Sequence, residues 1–144
     1  MDQGILVDSE IDEGETLIAE LSQRGFDVTA ACWLKAIDKD SWSLFVASTV
    51  VDELGPLGSY RLLNETMDEI PGLRIDSMRV KLIEASSATA TAIAEIRDRY
   101  PTLSGIEIGA RWLGRFAVDR GYIYPPVTSA TRATPPASPL PRAT

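Results

Sequence analysis

Two β-rich runs separated by four turn residues constrain this chain most. The runs at 26–37 and 42–51 flank Asp38, Lys39, Asp40 and Ser41. A gap that short folds two extended segments back on one another, which predicts an antiparallel hairpin. A third run, 73–83, alternates Met78, Val80 and Leu82 with Ser77, Arg79 and Lys81, the period of a half-buried strand. Short strands are expected at 105–112 and 121–124, joined by an irregular loop carrying Leu113, Gly114 and Arg115.

Three segments read as helices. Ser9, Glu10, Ile11 and Asp12 resemble a capping box. Ile11, Leu17, Ile18 and Leu21 follow as an apolar stripe, Gly14 interrupts it, and Gly25 marks the stop. The second helix opens at Gly55-Pro56, where proline suits a first turn. Tyr60, Leu63, Met67 and Ile70 carry its stripe, and Pro71-Gly72 end it. The third follows Ser86 and Ser87, packs through Ile93, Ile96 and Tyr100, and stops at Pro101. The order α-β-β-α-β-α-β-β predicts an α+β fold. We expect a two-layer sandwich, with a mixed, largely antiparallel sheet of four to five strands and three helices on one face.

Composition changes abruptly after Pro126. Residues 127–144 are nearly all Thr, Ser, Ala and Pro, with Arg132 and Arg142 as the only charges. Such a stretch has little apolar surface to offset its ordering entropy, so a disordered tail is expected beyond a single domain over 1–126. That body carries 12 basic and 21 acidic residues, a balance of −9. Long-range repulsion therefore opposes a general nucleic-acid coat or an anionic membrane surface.

The chain has no histidine and one cysteine. Ser-His-Asp and Cys-His nucleophilic sites and haem-His ligation are thereby excluded, as are nearly all zinc sites. Cys32 lies in an apolar run and reads as a buried, reduced hydrophobe. Residues 1–8 have no basic leader pattern, and no run approaches the roughly 18 apolar residues of a membrane span. A cytoplasmic protein without a membrane partner or cofactor is expected.

Three groups of residues could carry function. Strand alternation puts Lys35 on the face of Trp33, and pairs Arg79 with Lys81. With Arg111 they would form a cationic, aromatic sheet surface suited to an anion or a single strand. Asp52 and Glu53 are adjacent carboxylates at a strand–helix junction, where they serve as weak metal candidates or as stabilisers of a helix dipole. Arg111, Trp112, Arg115, Phe116, Tyr122 and Tyr124 concentrate aromatics beside arginines. Tyr122 and Tyr124 are the candidates there for a polar tip in a pocket. Glycine-rich phosphate loops and the Gly-x-Ser-x-Gly elbow are absent. At the acid-x-lysine spacing of restriction-type nucleases, Lys35 and Lys81 are preceded by Trp33 and Arg79.

Trp33-Leu34-Lys35, the run 42–48, the run 51–56, and Arg111-Trp112-Leu113-Gly114 with Tyr122-Ile123-Tyr124-Pro125 give the chain a resemblance. Over about residues 10–126 it resembles a family of small bacterial α+β proteins to which no activity is attached. The resemblance implies a bacterial cytosolic domain and transfers no chemistry. The expected function is non-catalytic binding through the aromatic and basic surface, to a protein or a second copy in preference to nucleic acid. The alternative is a histidine-free nucleic-acid or nucleotide-processing enzyme using Asp52 and Glu53 with Lys81 and Arg111.

Overall fold

The computed structural model describes residues 6, 8–39, 41–100 and 104–126. The tail expected at 127–144 lies outside them. In chain order the elements are α1 (Asp8–Gln23), β1 (Val28–Ala36), β2 (Trp42–Ser48), α2 (Thr49–Asp68), β3 (Val80–Glu84), α3 (Ala88–Arg99), β4 (Ile106–Ile108), β5 (Arg111–Leu113) and β6 (Phe116–Ile123). The fold is α+β, and the helix–strand order follows the sequence pattern.

The hairpin forms as expected. β1 and β2 pair antiparallel from Val28–Ser48 to Lys35–Trp42. The sheet runs β3-β2-β1-β6-β4, with β5 also pairing β6. Only β2 and β3 run parallel, joined across α2. β3 is thus an edge strand, and two of its backbone donors are satisfied locally. The Val80 N–H bonds the Ser77 carbonyl, and Leu82 N–H donates to the Tyr60 hydroxyl at 2.9 Å. Covering an edge in this way blunts its pairing with a further strand.

Alternation along β1 divides the core. Ala31 and Trp33 join Leu17, Ile18 and Leu21 of α1 and Leu63 of α2. Ala30, Cys32 and Leu34 pack instead with Ala90, Ile93 and Ile96 of α3. The three helices therefore do not share one face, as the two-layer reading had them. α1 and α2 cover one side of the sheet and α3 the other. Burial on both faces explains why five consecutive residues of β1, Ala30–Leu34, are all buried.

Three element boundaries also differ from the sequence reading. β2 ends at Ser48, whose hydroxyl accepts from Val50 N–H at 3.0 Å and caps α2. That cap overrides the β preference of Val50 and Val51. The helix kinks at Gly55 (φ 77°), and Pro56 restarts it. β3 begins at Val80, because the preceding segment is held otherwise. Glu13 accepts from the backbone N–H groups of Arg74 and Ile75, and Asp76 caps a short 3₁₀ turn over Ser77–Arg79. Near the chain's end, the expected strand at 105–112 divides into β4 and β5. The expected loop is mostly strand, since β6 spans eight residues from Phe116. β6 lies between β1 on one side and β4 and β5 on the other.

Candidate binding groove

α3 covers only part of its side of the sheet. Toward the β1–β2 turn the floor continues uncovered through Leu34, Ala36, Phe45 and Phe116. There an open groove of about 560 Å³ forms, reaching Met78 beside the edge strand. Phe45 and Phe116, from strands two positions apart, meet with ring centroids 5.1 Å apart and planes tilted by 53°. Lys81 lies opposite Phe45 in the β2–β3 register and is exposed. Lys39, from the hairpin turn, lines the same groove. The volume falls within the few hundred to one thousand Å³ typical of small-molecule sites.

Among the described residues, every charged side chain lining this groove is basic: Lys39, Arg79 and Lys81. They are not equivalent. Arg79 donates to Glu10 at 2.7 Å and to the Trp42 carbonyl at 3.2 Å, and its guanidinium sits 5.0 Å from the centroid of Trp33. Its charge is committed to holding the start of α1 against the sheet. Lys39 and Lys81 have no ion-pair partner among the described residues. Trp42 borders the groove from β2, but its ring packs on the α1 side of the sheet, the side of its register partner Lys35. Trp42 is 6% exposed, and its indole N–H has no hydrogen-bond partner among the described residues. An unpaired buried donor costs about 1–3 kcal/mol, so the group has affinity for any acceptor that reaches it.

The basic residues singled out in the sequence do not all converge. Lys35 faces the α1 side, with Nζ 3.2 Å from Asp119. Arg111 lies on β5 at the opposite edge from Lys81, four strands away. At ~4.8 Å per strand step that is roughly 19 Å. Arg79 and Lys81 share one groove, and Lys39, hidden in the turn, joins them. No sequence pattern marks Lys39, Phe45 or Phe116 as neighbours, because only the strand order assembles them.

Tyr124 is tied into the core, while Tyr122 also lines a cavity of about 150 Å³ with Trp42, Glu107 and Arg120. The Trp33 indole N–H donates to the Tyr124 hydroxyl at 2.8 Å, and that hydroxyl donates to the Ile11 carbonyl at 2.6 Å. Burial pushes the Tyr124 phenol well above its ordinary range, against the lowering by Trp33. Tyr122 packs edge-on against it at 5.3 Å. Burial raises the Tyr122 phenol too, helped by the carboxylates of Glu15, Glu107 and Asp12. Neither is poised to exchange protons near neutral pH.

Asp52 and Glu53 meet no third acidic or thiol side chain in a metal-holding arrangement among the described residues. Asp52 accepts from Ala85 N–H at 2.7 Å, clamping the loop between β3 and α3. Its carboxyl lies below the usual range chiefly through a hydrogen bond from the Ser86 side chain, with burial opposing and backbone N–H groups assisting. No group of three or more Cys, Asp or Glu side chains among the described residues is arranged to hold a metal ion. Cys32 is fully buried, which pushes its thiol far above its ordinary value. No helix among the described residues is long and apolar enough to cross a membrane. In comparison with known proteins, no family model matches the chain, and neither a curated protein nor a solved structure matches it.

Proposed function

We propose that the protein is a non-catalytic binding domain whose groove at the hairpin end takes an anionic partner bearing apolar surface. One observation carries this reading. In a body of net charge −9, the charged residues lining the groove are all basic among the described residues, above a floor of Leu34, Phe45 and Phe116. Cations over aromatic rings suit a ligand with one charged end and one greasy end. A bacterial cytosolic setting, implied by the resemblance, belongs to the same proposal.

The enzyme alternative draws less support. Asp52 spends its carboxylate on Ala85 and Ser86, and no carboxylate among the described residues lines the groove. Anilinonaphthalenesulfonate, a fluorescent organic anion with an apolar body, tests the binding reading directly. Saturable binding that weakens with salt, and is lost in folded Lys39→Glu/Lys81→Glu protein, is the expected result. Absence of saturable binding, or binding indifferent to the double charge reversal, overturns it.

A further inference from the structure

We infer that the groove's ligand is a small aryl-alkanoic acid, a single carboxylate on a short chain carrying an aromatic ring. This inference rests on the binding role proposed above and narrows it to a chemical class. Three features of the groove select that class.

The first is charge. Lys39 and Lys81 are the groove's uncommitted cations, and both are ammonium groups, not guanidinium forks. An ammonium acts as a compact point charge, whereas bidentate recognition of phosphate favours arginine. The one arginine present is already held by Glu10 and Trp42.

The second is the floor. Phe45 and Phe116 are tilted by 53° to one another at 5.1 Å. A third ring laid against the pair finds both a face and an edge, the arrangement aromatic groups prefer. Met78, 76% exposed and lining the same groove, adds a thioether suited to contact with a ligand's aromatic ring. An alkyl chain would gain burial there but none of the directional ring contacts.

The third is size against field. About 560 Å³ is the size of a small-molecule site. A long polyanion would also extend into the potential of the −9 body. A single carboxylate bound at these lysines needs only their local field, which salt screens over about 8 Å under physiological conditions.

The test uses 3-phenylpropionate, its neutral amide, 3-cyclohexylpropionate and acetate, titrated into the full chain and followed by amide and indole N–H resonances. The indole signals separate Trp42 from Trp33 and Trp112. We expect 3-phenylpropionate to move Phe45, Lys81 and Phe116, and to leave the indole of Trp42, on the other face of the sheet, unmoved. The amide should bind more weakly, by up to about fivefold, the discrimination expected of one partly exposed ion pair. Cyclohexylpropionate should be weaker than phenylpropionate, and acetate should leave the groove unmoved. In Lys81→Gln the preference for acid over amide should shrink. Equal affinity for acid and amide overturns the carboxylate, and equal affinity for the cyclohexyl acid overturns the aromatic ring. If those equalities appear while anilinonaphthalenesulfonate still binds through Lys39 and Lys81, the class fails and the binding role survives. If neither probe binds in the groove, both fall.

Discussion

Trp33 and Tyr124, ninety-one positions apart, are joined by a hydrogen bond of 2.8 Å from indole N–H to phenol oxygen in the core. The same phenol donates to the Ile11 carbonyl, so one hydroxyl ties β1, the end of β6 and α1 together. Tyr124→Phe keeps the ring and deletes only that oxygen. It leaves a buried N–H and a carbonyl without their partner, and about 1–3 kcal/mol of stability should be lost. Urea denaturation would check this, and an unchanged midpoint would show that the tie contributes nothing.

Gly14 faces the same hydroxyl. An exposed mid-helix glycine replaced by alanine gains about 1 kcal/mol from helix propensity. Here the added Cβ would overlap the Tyr124 hydroxyl and crowd the Trp33 indole nitrogen. Gly14→Ala should therefore destabilise the protein, reversing the usual sign. Thermal melting decides it, and a raised Tm would mean that α1 stands farther from Tyr124 than the structure has it.

The face of β3 sets a third expectation. Val80 is 1% exposed within the core shared with α1 and α2, whereas Lys81 is exposed. Val80→Asp buries an unpaired charge and should cost at least about 3 kcal/mol, enough to threaten folding. Lys81→Ala should change stability by less than about 1 kcal/mol. Circular dichroism on both variants tests the assignment, and a more damaging Lys81→Ala would invert it.

These residues also show what the sequence reveals and what it hides. The hairpin, the helix order and the phase of β3 are local properties, written in turn residues, caps and two-residue alternation. Gly14 is harder to interpret. In sequence it weakens a helix, and only the approach of Tyr124, 110 positions away, explains it. β6 is obscured because its pairing with β1 slips between Lys35 and Ala36, so its side chains do not keep one alternation. Gly121 inside it packs against Leu34 and Ile108, a close approach no periodicity announces. The apolar stripe of α3 would fit either face of the sheet, and tertiary packing chose the face opposite α1. Lys39 belongs to the groove through strand order alone.

Asp52 gives stability a pH dependence of known sign. Its folded carboxyl lies below the ordinary value of 3.8, mainly through Ser86. The clamp on the loop before α3 is therefore fully present above that ordinary value. It is lost as pH falls through the lower folded value. Asp52→Asn retains an oxygen for Ala85 N–H but cannot titrate. Its denaturation midpoint should depend less on pH in the acid range than that of the parent. Identical acid profiles would remove Asp52 from the acid response.

A single-stranded oligonucleotide should not bind. Lys81 and Arg111, the residues on which nucleic-acid binding would have rested, stand roughly 19 Å apart on opposite edges of the sheet. Lys35 is on the other face, neutralised by Asp119. At about 20 mM salt the Debye length is about 20 Å, so a polyanion there senses most of the −9 body at once. Two uncommitted lysines cannot outweigh that field, although they suffice for one nearby carboxylate. Fluorescence anisotropy of a labelled oligonucleotide at that salt should stay flat to the highest protein concentration. Binding that Lys81→Glu with Arg111→Glu abolished would show the opposite: that charges on two distant edges act together, and that the chain bends nucleic acid across the α3 face.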